Sequence, residues 1–155
     1  MADERQVLDQ EVLDTIKDQY LTFEIDNEDY GIGIANIKEI ISVSPITKVP
    51  HTPDYVKGII NLRGDIIAVI DVRKRFLKEE KEYDELTCIV VIEYGEFSLG
   101  LIVDNVKEVL YIYEDSVVSP PSAKLNYANQ FIKNIGKVGD EIKLILDLDK
   151  LLAQD

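Results

Sequence analysis

The sequence has few of the residues that carry out most catalysis and metal binding. Its 155 residues include one histidine, one cysteine, one methionine and no tryptophan. An active site needs acids, bases or nucleophiles that can converge, and His51 and Cys88 offer a poor supply. No CxxC or HxxxH spacing is present for zinc, and the acidic residues do not follow the pattern of a calcium loop. We therefore expect no catalytic, cofactor-binding or metal-binding residues.

Three remaining features have ordinary structural interpretations. Cys88 cannot form an internal disulfide and lies in the apolar run CIVVIEY, which is typical of a buried thiol. His51 lies between two prolines in VPHTP, where a solvated turn residue is expected. The acidic turn with Asp26, Glu28 and Asp29 resembles a common charged hairpin, so we interpret these carboxylates as solvated as well.

Basic residues are also scarce relative to acidic ones. Seventeen Lys and Arg against thirty Asp and Glu give a formal charge of −13, which would repel nucleic acid and anionic lipid. The start MADERQVLDQ lacks the basic residues of a secretory signal, and no window approaches the roughly 18 apolar residues of a spanning helix. These features predict a cytoplasmic protein without direct membrane insertion, whose partners are other proteins.

An internal duplication organises the chain. Residues 20–41 align without gaps on residues 89–110, and residues 55–76 align on residues 131–152. The extra residues of the second copy fall in the loop SPPSAKLNYANQ, whose composition suits an insertion at the surface. Identical pairs include Glu24/Glu93, Gly31/Gly100, Asn36/Asn105, Lys38/Lys107, Glu39/Glu108, Lys57/Lys133, Ile66/Ile142 and Asp71/Asp147.

Each copy has the pattern of a small β-barrel. Short runs rich in Ile, Val, Tyr and Phe alternate with Asn, Asp and Gly turns, and closure of about five strands would remove exposed edges. The sequence predicts an all-β protein with a first lobe at about 20–76, a linker at about 77–86 and a second lobe at about 87–152. Asp71 and Asp147 can cap short helices at the lobe ends. Residues 1–18 are acidic and fit either a helix or a tail.

The stretch VPHTPDYVKGIINLRGDIIAVIDVRKRF, residues 49–76, resembles the signature of the CheW-like family. The resemblance continues through YGIGIANIKEII, GLIVDNVKEVL and LILDLDKLL and covers residues 19–152, although Ala68 stands where many relatives carry proline. It implies a pair of SH3-like five-stranded barrels. The same domain is also found fused in CheA and CheV, but this chain has no room for a kinase or a receiver.

The resemblance also implies a function and partners. Members of the family are non-catalytic adaptors that couple methyl-accepting chemoreceptors to the histidine kinase CheA in chemotaxis. The expected partners are the regulatory domain of CheA and the cytoplasmic tip of the receptors, which would recruit this protein to membrane-associated arrays. Two alternatives stay open: a CheW-like scaffold of a non-flagellar chemosensory pathway and, suggested only by the carboxylate-rich loops, a small enzyme.

The first candidate contact site is the hairpin tip Asn61-Leu62-Arg63-Gly64. A tight turn requires residues such as Asn and Gly but does not require Leu62 or Arg63, which makes these two the strongest contact candidates. In the alternative interpretation, Leu62 covers the barrel end and Arg63 is merely solvated.

The second candidate is the groove between the lobes, which in relatives receives the receptor hairpin. Ile37, Glu39, Gly58 and Val106 are expected near it, and Ile37 and Val106 occupy equivalent positions in the two copies. Both could instead be ordinary core residues. The basic cluster Arg73, Lys74 and Arg75 is interpreted as solvated.

Overall fold

The computed structural model describes residues 16–120 and 130–153, so the predicted helix or tail at residues 1–18 lies almost wholly outside the described residues. In the described part no helix is long and apolar enough to cross a membrane. The strands are β1 (Gln19–Ile25), β2 (Glu28–Gly33), β3 (Ile37–Ser42), β4 (Val56–Leu62), β5 (Asp65–Asp71), β6 (Cys88–Tyr94), β7 (Phe97–Val103), β8 (Asn105–Tyr111), β9 (Val117–Val118), β10 (Ile132–Val138) and β11 (Glu141–Leu146). Two short helices, α1 (Val72–Arg75) and α2 (Leu148–Leu152), follow β5 and β11.

The strands form two sheets, which confirms the predicted all-β, two-lobed fold. One sheet has the order β8-β1-β2-β11-β10-β9, and we call it barrel A. The other has the order β3-β6-β7-β5-β4, and we call it barrel B. Both helices start where predicted, because the carboxylates of Asp71 and Asp147 accept hydrogen bonds from backbone N–H groups of the first turn.

The two barrels do not coincide with the two sequence copies, which corrects the predicted lobe boundaries. Strand β11 pairs in parallel with β2, and β5 pairs in parallel with β7. The first hairpin of each copy therefore completes the barrel of the other copy. Barrel B is built from residues 37–103, whereas the strands of barrel A come from both sides of that segment. Sequence repetition could not distinguish these arrangements, since both hairpins offer the same pattern of apolar residues.

An edge of each barrel is covered by the chain that follows β3 or β8, the third strand of each sequence copy. After β3, Thr47 forms a bridge with Ile59 of β4, with both N–H···O distances at 2.9 Å. After β8, the two residues of β9 pair with β10, where Val118 lies opposite Ile135. Ile59 and Ile135 are equivalent in the two copies, so the same device protects an exposed strand edge twice.

The largest apolar cluster lies between the barrels. Four aromatic rings run through it, with centroid separations of 6.2 Å for Phe23 and Tyr30, 5.2 Å for Tyr30 and Phe76, and 5.5 Å for Phe76 and Phe131. Strands of both barrels contribute to this cluster, so the barrels share one core. A second cluster fills barrel B and consists of Ile60, Ile67, Val69, Ile89, Val91 and Ile102.

Candidate partner-binding site

The predicted hairpin tip joins β4 and β5. The Asn61 side-chain oxygen accepts a hydrogen bond of 2.8 Å from the Gly64 N–H. Arg63 and Gly64 both have positive φ, at 51° and 94°. Asn61 and Gly64 therefore build the turn, as the sequence predicts, and the turn holds Arg63 in a backbone conformation that non-glycine residues seldom adopt.

Leu62 and Arg63 differ in their surroundings. Leu62 is half-buried and packs against the apolar cluster inside barrel B. It therefore covers the barrel, as in the alternative interpretation, and a partner contact at Leu62 stays a prediction. The Arg63 side chain is 68% exposed. Of the two, Arg63 is the more exposed, and a partner contact at Arg63 stays a prediction.

Arg63 forms an ion pair with Glu39, which lies on β3. The hydrogen bond from Arg63 to Glu39 raises the pKa of the guanidinium above its ordinary value. An exposed pair of this kind contributes little to stability, but it orients the arginine. Arg63, which the sequence analysis assigned to the hairpin tip, thus lies beside Glu39, which it assigned to the groove.

Two of the other three groove candidates, Ile37 and Val106, lie on a different face. Ile37 is paired with Ile92, and Val106 is paired with Phe23. Both are half-buried and pack against the cluster between the barrels. They therefore lie at the margin of the core, as in the core interpretation, and a partner contact at Ile37 and Val106 stays a prediction.

A β-bulge separates Glu39 from Ile37. In a regular strand, residues two positions apart share a face. Here the register shifts between Ile37 and Glu39, so that Glu39 lies opposite Val91, which faces the interior of barrel B. The predicted site is consequently divided into a groove face, with Ile37 and Val106, and a tip face, with Glu39 and Arg63.

Gly58 is buried and has a structural role. Its φ is 150°, and a Cβ at this position would be 2.1 Å from the carbonyl oxygen of Thr47. Gly58 thus permits the close approach of the Thr47 segment that covers the edge of barrel B. Direct contact of Gly58 with a partner stays a prediction.

The basic cluster beside the site is not solvated, which corrects the sequence interpretation. Arg75 is only 3% exposed, and its guanidinium donates to the backbone carbonyls of Leu151 and Ala153, both at 2.8 Å. It also stacks on the rings of Tyr55 and Phe131, at 4.4 and 4.7 Å from their centroids. One sequence signal could have revealed this: the duplication aligns Arg75 with Leu151, an apolar core position.

The neighbouring Arg73 is also bound. Its guanidinium donates to Asp104 at 2.6 Å and to the backbone carbonyl of Glu79 at 2.8 Å, with Asp26 at 3.4 Å. These contacts tie α1 to the β1–β2 turn and to the connection between β7 and β8. The two arginines of the basic cluster therefore hold the barrels together.

Asp29 likewise departs from the solvated interpretation. Its carboxylate accepts a hydrogen bond of 2.6 Å from Lys143, whose side chain is 1% exposed inside barrel A. Burial raises the pKa of Asp29, but the hydrogen bonds from Lys143 and Lys107 outweigh this effect and leave it below its ordinary value. The equivalent of Lys143 in the first copy is Ile67, an apolar core residue of barrel B.

This comparison gives a stability prediction. Replacing Lys143 with isoleucine, the residue of the other copy, should change the free energy of unfolding by no more than about 1 kcal/mol, since Asp29 keeps Lys107 at 3.3 Å. Asp29→Ala should cost about 3 kcal/mol, because Lys143 would be left with Glu141 alone. Urea denaturation measures both values. Equal losses in the two variants would contradict the proposed asymmetry.

The pH dependence of the Asp29 effect follows from its lowered pKa. A carboxyl with a folded-state pKa below its unfolded value of about 3.9 contributes stability above that pH. The contribution is lost as the pH falls through the folded-state pKa. The stability difference between wild type and Asp29→Asn should therefore be constant near neutrality and shrink below about pH 4.

No group of three or more His, Cys, Asp or Glu side chains that could hold a metal ion occurs within residues 16–120 and 130–153. These residues present a hairpin tip with an exposed ion pair, and two half-buried apolar side chains at the margin of the core between two intertwined barrels. Such an arrangement defines an all-β module for contact with other proteins.

The chain belongs to the family of CheW-like domains, whose model matches residues 19–155. It is 32% identical to the chemotaxis protein CheW of Klebsiella aerogenes, over 92% of this chain and 86% of that one. Identity to the chemotaxis protein CheW of Treponema pallidum is 34%, over 87% and 82% of the chains. The crystal structure of the scaffolding protein TtCheW from Thermoanaerobacter tengcongensis matches with a TM-score of 0.82 and 36% identity, covering 89% of this chain and 94% of that one. The chain is accordingly a scaffolding adaptor of chemotaxis.

Proposed function

We propose that this chain is a non-catalytic adaptor that links the cytoplasmic tips of methyl-accepting chemoreceptors to the regulatory domain of the histidine kinase CheA. Membership of a chemotaxis scaffold family supports the kind of partner. The observation that carries the proposal is the exposed Arg63, which a strained turn and Glu39 hold in one orientation. Neither the turn nor the barrel core needs an arginine at this position.

The division of the site into two faces suggests how two partners bind at once. The groove face offers apolar side chains at Ile37 and Val106, which suits an amphipathic helix of a receptor hairpin. The tip face offers the charged pair Arg63 and Glu39, which suits a polar interface with the kinase domain. The bulge in β3 directs these faces apart, so that one partner need not displace the other. Simultaneous binding would place the protein in membrane-associated receptor arrays.

The tip face gives a binding prediction. Arg63→Glu should weaken binding of the CheA regulatory domain by at least about tenfold, because the new carboxylate faces Glu39 instead of pairing with it. Isothermal titration calorimetry of the purified proteins measures the change. Thermal stability should be almost unaffected, since the side chain is exposed.

The duplication supplies a matched control. Lys137 occupies the position equivalent to Asn61 on the β10–β11 hairpin of barrel A and is exposed. Lys137→Glu introduces the same new charge on the other barrel and should leave kinase binding within about twofold of wild type. If both variants weaken binding equally, net charge rather than the tip face is responsible, and the assignment of Arg63 is wrong.

A further inference from the structure

An exposed aromatic pair lies at the end of β8. Tyr111 and Tyr113 are each 53% exposed, and their rings stack with centroids 5.8 Å apart and planes inclined by 14°. Val109, two residues before Tyr111, is 49% exposed. Exposed aromatic and apolar side chains in one continuous strip are typical of an interaction surface.

The fold does not require an aromatic residue at this point. Tyr111 lies opposite Gln19 of β1, and its equivalent Ser42 lies opposite Cys88 of β6, so the register is the same in both barrels. The third strand of the first copy ends with serine, and that of the second copy ends with tyrosine. The ring of Tyr111 is therefore not needed to close the barrel, because the other barrel has the same architecture with a serine at this position.

The aromatic pair continues the groove face. Val106, Val109 and Tyr111 lie opposite Phe23, Leu21 and Gln19, which are alternate residues of β1 and share one face. A bulge in β8 preserves this alignment, because two residues of β8 stand opposite Thr22. The strip of Val106, Val109, Tyr111 and Tyr113, here called the β8 strip, extends the groove by about 15 Å, or about three helical turns.

The far end of the β8 strip is acidic. Glu114 and Asp115 follow Tyr113 directly and are exposed, and the backbone carbonyl of Asp18 accepts a hydrogen bond from the N–H of Ile112. Exposed tyrosine rings next to acidic residues attract a cation, through the face of the ring and through charge.

We propose that Tyr111 and Tyr113 extend the groove and bind an arginine or lysine of the receptor hairpin, about three turns along the helix from its apolar contact with Val106. This inference rests on the proposed function, because it assigns one partner to the groove face. It adds a residue type and a spacing that the partner must possess. It also makes barrel A, through the β8 strip, the barrel that selects among receptors.

The test compares two partners in the same variants. The double variant Tyr111→Ser, Tyr113→Ser places at position 111 the residue of the other copy and should weaken binding of a receptor cytoplasmic hairpin fragment about tenfold. Binding of the CheA regulatory domain should be unchanged. Tyr111→Phe should retain nearly all receptor affinity, because the ring face is kept. Phe97→Ser removes another exposed aromatic side chain, 72% exposed on barrel B, and should not affect receptor binding.

The outcomes separate this inference from the proposed function. If wild type and the double variant bind the receptor hairpin equally well, the inference is contradicted and the proposed function is not. A loss of affinity for both partners in the double variant also contradicts it, since damage to the fold would be the cause. Wild-type protein that binds the kinase domain but no receptor hairpin contradicts the receptor half of the proposed function, and the inference with it.

Discussion

Arg75→Met is expected to lower the free energy of unfolding by about 3 kcal/mol, a large part of the 5–15 kcal/mol of an ordinary domain. The reason is the position of the guanidinium, which satisfies carbonyl groups at the end of α2 from a helix of the other barrel. Methionine fills much of the volume but donates no hydrogen bond, so the carbonyls of the buried Leu151 and of Ala153 lose this donor. The two ring contacts are lost as well.

Urea denaturation followed by circular dichroism measures this loss. Arg63→Met is the matched control, because it removes the same group from an exposed position and should change the free energy of unfolding by less than about 0.5 kcal/mol. Arg75→Lys should lose an intermediate amount of stability. Its ammonium retains the charge, but it lacks the planar guanidinium that bonds several carbonyls at once. A loss at Arg75 no larger than that at Arg63 would show that the arginine does not join the barrels.

Gly58→Ala is expected to be of similar severity, with a loss of about 3 kcal/mol. The new Cβ would lie 2.1 Å from the carbonyl oxygen of Thr47 and 2.9 Å from Cγ2 of Ile46. Relief requires the Thr47 segment to move away, which breaks its two hydrogen bonds with Ile59 and uncovers the edge of barrel B. Thermal denaturation should show a clear fall in the melting temperature.

Gly139→Ala is a control that tests the effect of a positive φ in the absence of steric crowding. Gly139 has a φ of 62°, but no atom lies within 4 Å of the position of its Cβ, so alanine there should cost only about 1–2 kcal/mol. A Gly58 variant that keeps wild-type stability but loses a partner would contradict the structural role and restore the interpretation of Gly58 as a contact. A variant that loses both together supports the structural role.

The periodic features of the fold could be predicted from the sequence. Alternating apolar residues and Asn, Asp and Gly turns indicated the hairpins, and the duplication indicated two barrels. The exchange of first hairpins could not be predicted, because each hairpin carries the same pattern and can pair with either copy. The parallel pairings of β2 with β11 and of β5 with β7 determine which barrel each hairpin joins. These pairings depend on three-dimensional packing.

The site was predicted in part for similar reasons. Asn61 and Gly64 could be assigned to a turn because turn geometry depends on local chemistry. The bulge that separates Ile37 from Glu39 leaves no comparable signal, so the sequence placed both residues in one groove. The buried roles of Arg75 and Lys143 were missed because composition suggests that basic residues are solvated. Their alignment with Leu151 and Ile67 was the available evidence against that interpretation.

The central claim is that this protein transmits receptor control to CheA, and reconstitution tests it most directly. Receptor-containing membranes, CheA and this protein are combined, and autophosphorylation of CheA is measured with and without attractant. We predict that kinase activity responds to attractant with wild-type protein and with Lys137→Glu, and that the response is lost with Arg63→Glu. Attractant control that is the same with and without this protein would contradict the claim.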